Sequence, residues 1–171
     1  MDADYPRKWV IFACRLTQVR KFAFHDALTQ LPNRRLFIEH LGQAKAASKR
    51  SGHYGAVMFL DLDNFKSLND THGHDMGDLL LIEVAHRLDR CVREMDTVAR
   101  FGGDEFMVLL RELDLNKRLS VEKARIVAEK IRVTLAEPYL LVCKQEDGAE
   151  TTVEHYCTAQ HRCDAVHKTR Y

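Results

Sequence analysis

The spacing of apolar residues divides the 171-residue chain into alternating helices and strands. In residues 1–24, apolar side chains recur every three or four positions, which predicts a helix that packs against a second helix or against its own domain; they are Trp9, Phe12, Leu16, Val19 and Ala23. Pro32 then breaks the chain, and Asn33 predicts the N-cap of a helix that runs to about Ser48. The buried stripe of this helix would be Leu36, Phe37, His40, Leu41 and Ala44.

The following apolar runs predict strands, helices and hairpins. "AVMFLDLDNF" (residues 56–65) is a strand that stays apolar until it reaches two aspartates, and "LNDTHGHDMGD" (68–78) is predicted to be a loop because it is rich in turn-forming residues. A long helix follows, then a hairpin around two glycines, a helix over about residues 120–136 and a second hairpin. This order predicts an α+β domain with an antiparallel sheet flanked by helices.

Composition and charge narrow the class of protein. The chain has 46% hydrophobic residues and a net charge of +1, which predicts one soluble domain and gives no reason to expect binding to nucleic acid. The longest apolar stretch near the N-terminus, "WVIFAC", is too short to span a bilayer, and no signal peptide pattern precedes it. Five cysteines without a C-x-x-C pair favour free thiols in a reducing cytoplasm.

The segment "RFGGDEF" (residues 100–106) places two glycines and two carboxylates between apolar runs. Gly102 and Gly103 predict a tight hairpin turn, because glycine adopts positive φ values at little steric cost. Asp104 and Glu105 would then lie at the tip of the hairpin. A solvated polar turn is the ordinary interpretation. The alternative is a ligand site, since a glycine backbone lets a ligand approach closely.

A second pair of carboxylates ends the first predicted strand. Asp61 and Asp63 are two residues apart and would share one face of a regular strand. Buried like charges repel, so two aspartates at a strand end favour either exposure or a cation. If this strand neighbours the glycine hairpin, Asp61 and Asp104 converge into an oxygen site suited to Mg²⁺ and a nucleotide phosphate. An aspartate-nucleophile phosphatase is a weaker interpretation, because that class favours Thr or Val where Phe65 stands.

Together these motifs resemble the GGDEF-domain diguanylate cyclases, which condense two GTP molecules into cyclic di-GMP. The resemblance runs from about residue 22 to 159 and rests on "DALTQLPNRR", "DLDNFKSLNDTHGHDMGD", "REMD", "RFGGDEF" and "LAEPY", in the family's order and spacing. It implies a palm-like α+β domain, with an antiparallel sheet flanked by helices as in nucleotide cyclases, and an N-terminal helix. It also implies a nucleotidyltransferase of bacterial second-messenger signalling.

The resemblance gives each motif residue a role. It implies that Asp61, Asp104 and the Leu62 carbonyl ligate Mg²⁺, or Mn²⁺ in its place. Substrate contacts are implied for Asn64, Phe65, Lys66, Asn69, Asp78, Gly102 and Gly103. Asn69 and Asp78 would read the guanine edge, since an amide donates to O6 or N7 and a carboxylate accepts from N1–H and N2–H. Asp104 or Glu105 would help deprotonate the attacking 3′-hydroxyl.

A separate pair, Arg93 and Asp96 in "REMD", has the spacing of the family's R-x-x-D product-inhibition site. Cyclic di-GMP bound there would meet the Arg93 guanidinium and the Asp96 carboxylate. A solvated Arg–Asp pair at a helix end is the structural alternative. The pair also suggests an alternative function, that of a non-catalytic cyclic di-GMP receptor. His72 and His74 look like a metal pair but are predicted only to position a loop.

The resemblance also implies partners. Each GGDEF domain holds one GTP, so the reaction needs a homodimeric encounter of two domains. A sensor domain upstream, in a longer parent protein, would control that encounter.

The resemblance stops at residue 159. It divides the chain into residues 1–24 (helix or linker), 25–159 (GGDEF domain) and 160–171 (a non-matching tail). The family continues with a Ser-Ile-Gly strand, a helix and a basic phosphate clamp. One extra C before codons for Ser-Ile-Gly-Val yields CAG CAT CGG TGT, which encodes "QHRC" (160–163), so we expect a frameshifted tail. Without the strand and clamp, the sheet edge is expected to be exposed and GTP turnover to be weak. An inactive fragment is the remaining alternative.

Overall fold

A computed structural model describes residues 23–144 and 150–166 of the chain. Its helices are α1 (Arg34–Ser51), α2 (Phe65–His72), α3 (His74–Cys91) and α4 (Lys117–Ala136). Its strands are β1 (Gly55–Leu62), β2 (Thr97–Gly102), β3 (Glu105–Leu110), β4 (Tyr139–Lys144), β5 (Glu150–His155) and β6 (Ala159–Val166). The helix predicted for residues 1–24 lies, apart from its last two residues, outside the described part of the chain.

An antiparallel sheet organises the domain. Its strands lie in the order β2-β3-β1-β6, and each neighbouring pair is antiparallel. β4 and β5 form a separate two-stranded hairpin, as the sequence predicted. The predicted α+β class with an antiparallel sheet and flanking helices is therefore confirmed.

Both faces of the sheet carry an apolar layer. On one face the alternating residues of β1 are buried with the inner sides of α3 and α4; the cluster includes Met58, Leu60, Leu80, Val84, Leu88, Ile131 and Leu135. On the other face Phe37 of α1 packs with Ala99 and Leu109. Within the described residues, no helix is both long enough and apolar enough to cross a membrane.

Asparagine N-caps mark the start of α1 and of α4. Asn33 is the N-cap of α1, and its side chain accepts hydrogen bonds from the backbone amides of Arg35 and Leu36. Asn116 caps α4 in the same way. The cap at Asn33 is as predicted, but of the predicted buried stripe of α1 only Phe37 is fully buried. The other four residues are half-buried.

The prediction of a loop over residues 68–78 is wrong. This segment forms the second half of α2 and the start of α3, and Gly73 is the only break between the two helices. The turn-forming residues act as a junction: Gly73 has a φ of 85° and ψ of 167°, and its backbone N–H donates to the Asn69 carbonyl. Leu68 and Met76 anchor the two helices in the core, an apolar contribution that the polar composition conceals.

The expected open edge of the sheet is also corrected. The backbone of residues 159–166 pairs with the whole length of β1, from Gly55 opposite Val166 to Leu62 opposite Ala159. Strand pairing uses backbone N–H and C=O groups, so an extended segment can cover the edge of β1 whether or not its sequence matches a family pattern, and β6 becomes the edge strand.

Candidate active site

Pairing of β1 with β3 brings the carboxylate-bearing segments together. Asp61 is the register partner of Glu105, and Asp104 lies in the turn just before Glu105. The pKa of Asp61 is raised above its ordinary value by desolvation and then by the negative charges of Asp104 and Asp63. Asp61 and Asp104 thus lie close together, with Glu105 exposed beside them.

The donor chemistry at this point fits a hard divalent cation. Two carboxylates repel each other there, and a backbone N–H from Leu62 bonded to Asp61 offsets only part of that repulsion. The part of the chain that the structure describes contains no cluster of three or more His, Cys, Asp or Glu side chains placed to hold a metal. A site with two carboxylates suits Mg²⁺, which binds proteins through few ligands and completes its shell with water and phosphate.

Gly102 and Gly103 form the turn between β2 and β3. Their φ angles are 139° and 52°, values that side chains adopt only under strain, so the turn requires glycine at these positions. Apart from its chain neighbours, no atom of the described residues lies within 4 Å of where a Cβ would stand at either glycine. The backbone of the turn is therefore open to a ligand.

A partly buried ion pair holds this turn against the start of the domain. Arg100 donates from Nε and Nη2 to the Gly103 carbonyl, at 3.0 and 2.8 Å, and from Nη1 to Asp26 Oδ1 at 2.9 Å. Asp26 Oδ1 also accepts from the backbone N–H and the hydroxyl of Thr29, at 2.8 and 2.6 Å. Asp26 and Arg100 therefore act as positioning residues for the glycine turn.

The loop after β1 is held by residues that precede β6. The backbone N–H of Asp63 donates to the Thr158 carbonyl at 2.8 Å, and the Thr158 hydroxyl donates to Asp63 Oδ2 at 2.7 Å. The buried Cys157 thiol donates to the Asp63 carbonyl at 3.4 Å. These bonds restrain the segment that carries Asp61 on one side and Asn64 on the other.

The predicted phosphate-binding residues lie at the start of α2. Asn64 has a φ of 64°, a left-handed conformation, and its side chain does not cap the helix. Phe65 packs against the main core, whereas Lys66 is exposed. Phe65 therefore packs the first turn of α2 against the core, while its neighbours Asn64 and Lys66 are exposed.

The two residues predicted to read guanine lie on consecutive helices. Asn69 is on α2, and its Oδ1 is buried without a hydrogen-bond partner. Asp78 is exposed in the second turn of α3. A buried amide oxygen without a partner is uncommon and calls for an explanation, such as a bound ligand that fixes the side chain.

Arg93 and Asp96 lie between α3 and β2. Asp96 accepts hydrogen bonds from the backbone amides of Arg93 and Arg111, at 3.1 and 2.9 Å, so its carboxylate stabilises the chain turn. The Arg93 side chain is exposed. Among the described residues no ion pair links Arg93 to Asp96. His72 and His74 are both exposed on either side of Gly73.

Sequence reasoning missed Asp26, Arg100 and Thr158, which make hydrogen bonds at the glycine turn and at Asp63, and Gly77, which lies against the Asn69 side chain. The Asp-x-x-Thr spacing in "DALT" was a local signal for a side-chain turn, and an isolated glycine in the helical pattern "HDMGDLLL" was a signal for close packing. The contacts of Arg100 and Thr158 join distant parts of the chain and carried no local signal.

Fold and site define the class of protein. Residues 23–159 match the family described as "Diguanylate cyclase, GGDEF domain". The chain belongs to this family.

Two relatives of this chain are proteins of Pseudomonas aeruginosa. The bifunctional diguanylate cyclase/cyclic di-GMP phosphodiesterase MucR of Pseudomonas aeruginosa is 45% identical over 143 residues, which cover 81% of this chain and 20% of MucR. Diguanylate cyclase TpbB of the same species is 47% identical over 91 residues, which cover 53% of this chain and 21% of TpbB. The chain thus spans about a fifth of the length of these relatives.

Solved structures agree with the fold. The crystal structure of the TpbB GGDEF domain has a TM-score of 0.69 and 36% identity, covering 81% of this chain and 78% of that one. The coiled coil and GGDEF domain of DgcB from Caulobacter crescentus, in complex with c-di-GMP, has a TM-score of 0.79 and 28% identity, covering 95% and 80%.

Proposed function

We propose that this chain binds GTP with Mg²⁺ and condenses two GTP molecules into cyclic di-GMP. The observation that carries the proposal is the meeting of Asp61 and Asp104 at an open glycine turn. Membership of the GGDEF family supports the reaction class. Both relatives are named as diguanylate cyclases, and the name of MucR also contains cyclic di-GMP.

The carboxylates and the Leu62 carbonyl would hold Mg²⁺, with Mn²⁺ as an alternative of similar preference for oxygen. When bound, the cation would neutralise Asp61 and Asp104 and stabilise negative charge on the α-phosphate. Asp104 or Glu105 would accept the proton of the attacking 3′-hydroxyl. Asp104 is the carboxylate that acts on Asp61, since its charge and side chain raise the pKa of Asp61 whereas Glu105 does not contribute.

The remaining groups would bind the nucleotide. Backbone amides of Asn64 and Phe65 and the ammonium group of Lys66 would contact phosphate oxygens. Gly102 and Gly103 would let the phosphates approach, because among the described residues only their neighbours in the chain come within 4 Å of where their Cβ atoms would stand. Asn69 would donate to guanine O6 or N7, while Asp78 would accept from N1–H and N2–H.

The reaction joins two nucleotides, so it requires two copies of the domain. Each copy would present one GTP, and the 3′-hydroxyl of each nucleotide would attack the α-phosphate of the other. This arrangement implies a two-fold encounter between domains. In a longer parent protein, a sensor domain would control the encounter.

A product assay at high protein concentration tests the proposal. The purified chain is incubated with GTP and Mg²⁺, and cyclic di-GMP is measured by chromatography with mass detection. We expect product from the parent chain and from Asp89→Asn, a control that removes one exposed carboxylate of α3. We expect none from Asp104→Asn. Equal product from Asp104→Asn, or no product from a parent chain that binds GTP, would contradict the proposed reaction.

The second candidate is a cyclic di-GMP receptor that uses Arg93 and Asp96. It is favoured by the exposed Arg93 side chain beside an Asp96 that two backbone amides hold in place. Binding of cyclic di-GMP that survives Asp104→Asn but is lost in Arg93→Ala would support this function. Binding that is lost in Asp104→Asn and unchanged in Arg93→Ala would exclude it.

A further inference from the structure

The backbone conformation of Gly77 does not require glycine. It is buried in α3, and its φ angle lies outside the range that favours glycine. Glycine inside a helix is less favourable than alanine, so a helical glycine calls for a steric or functional reason. Gly102 and Gly103 differ, because their φ angles are positive and the space around them is open.

The steric reason at Gly77 is the side chain of Asn69. A Cβ atom at position 77 would overlap Oδ1 of Asn69 and lie 2.9 Å from its Cγ and 3.2 Å from its Nδ2. The amide of Asn69 therefore lies against the backbone of α3, with its oxygen on the Gly77 side. That oxygen is the buried atom that has no hydrogen-bond partner.

The amide has one orientation in the structure. With Oδ1 against Gly77, the Nδ2 group lies farther from α3 and is the part of the amide that remains to donate to a ligand. A donor suits guanine O6 and N7, which are acceptors. Adenine presents an amino group, itself a donor, where guanine has O6.

We propose that Gly77 is a positioning residue for base selection: the absence of a Cβ leaves the space that the Asn69 amide occupies in the orientation that binds guanine. The inference rests on the proposed function, because it assumes that Asn69 contacts the base of GTP. It assigns to Gly77 a part of the preference for guanine over adenine, although Gly77 itself need not touch the nucleotide.

Replacement by alanine separates this role from a role in folding. The atoms that a Cβ would meet belong to the far end of one side chain, so Asn69 can move while the backbone stays in place. Alanine also favours the helix. We therefore expect Gly77→Ala to keep or raise the melting temperature while it displaces the Asn69 amide.

The chain offers a matched control. Gly42 lies in α1, is exposed, and has no atom within 4 Å of where its Cβ would stand. Gly42→Ala makes the same chemical change in another helix without displacing a side chain.

The test measures binding of α,β-methylene GTP and α,β-methylene ATP, which block attack at the α-phosphate, by calorimetry with Mg²⁺. Gly77→Ala should weaken binding of the guanine analogue roughly five- to tenfold, the size of one lost neutral hydrogen bond. It should leave binding of the adenine analogue unchanged, and Gly42→Ala should change neither. In an Asn69→Ala background, Gly77→Ala should have no further effect, because the two residues act as one unit.

Three results would overturn the role of Gly77 while the parent chain still prefers the guanine analogue. They are unchanged guanine binding in Gly77→Ala, equal weakening for both analogues, and a full additional loss in the Asn69→Ala background. A parent chain that shows no preference for guanine would instead refute the proposed base contact, and the role of Gly77 with it.

Discussion

The ion pair between Asp26 and Arg100 leads to a quantitative prediction about stability. Asp26 Oδ1 accepts three hydrogen bonds, two from Thr29 and one from Arg100, and Arg100 in turn holds the Gly103 carbonyl. The Arg100 and Asp26 side chains are 11% and 21% exposed, so solvent screens the pair only partly. Asp26→Asn keeps the shape of the side chain but removes its charge.

The expected loss follows from the bonds that change. A hydrogen bond to a charged group contributes about 1.5–3 kcal/mol and a neutral one about 0.5–1.5 kcal/mol, so making the Arg100 bond neutral on one side costs roughly 1–2 kcal/mol. Weaker bonds from Thr29 bring the total to about 2 kcal/mol. For a domain of this size, that loss lowers the melting temperature by about 4–8 °C.

The pH dependence of the difference identifies its cause. Burial raises the pKa of Asp26, but hydrogen bonds from Thr29 and Arg100 and the charge of Arg100 outweigh burial, so the pKa lies below 3.8. The contribution of the charged form is therefore complete above about pH 5 and is lost as pH falls through the folded-state pKa. At still lower pH the parent chain is as neutral at this position as the variant.

Thermal unfolding of both proteins from neutral to acidic pH is the assay. We expect Asp26→Asn to melt lower at pH 7, the gap to narrow below pH 3.8, and Asp89→Asn to melt with the parent chain. A variant that melts within about 1 °C of the parent at pH 7 would refute the reasoning, since this is far below the expected shift. A gap that does not narrow at low pH would refute it as well.

Three further predictions concern other parts of the domain. Without divalent cations, Asp61→Asn should raise the melting temperature at pH 7, because it removes the repulsion between Asp61 and the neighbouring aspartates that raises the pKa of Asp61. The gain should disappear at low pH, where Asp61 of the parent chain is protonated and neutral. Equal melting temperatures at pH 7 would contradict this prediction. Asn33→Ala should lower the free energy of unfolding by about 1 kcal/mol in urea titrations, as loss of an N-cap does; an unchanged midpoint would contradict the cap. Burial, followed by the charges of Asp63 and Asp104, raises the pKa of Cys157 to about 12. Iodoacetamide at pH 8 should therefore leave the Cys157 thiol of the native protein unmodified, as measured by peptide mass spectrometry. Rapid labelling would contradict the burial of this thiol.

Those features of the fold that depend on local patterns could be predicted from the sequence. A continuous apolar run identified β1, and Asn33 identified the start of α1, because a side-chain cap needs only its own neighbours. The junction of α2 and α3 could not be predicted in this way. Its polar residues have turn propensity, and the two helices depend on burial of Leu68 and Met76 in the tertiary core.

The candidate site also has a part that could be predicted from the sequence and a part that could not. The meeting of Asp61 and Asp104 could be inferred, since like charges at two apolar segment ends indicate a shared cation. The support for these residues could not. Arg100 lies 74 residues from Asp26, and Thr158 lies 95 residues from Asp63, so only the folded chain brings each pair together.

Magnesium-dependent GTP binding tests the central claim most directly. Calorimetric titration of the parent chain with α,β-methylene GTP, in Mg²⁺ and again in EDTA, measures whether the site at Asp61 and Asp104 holds a nucleotide through a cation. We predict binding that EDTA abolishes, that Asp61→Asn and Asp104→Asn each abolish while remaining folded by circular dichroism, and that Asp89→Asn preserves. Equal affinity with and without Mg²⁺, or undiminished binding in either site variant, would contradict the account.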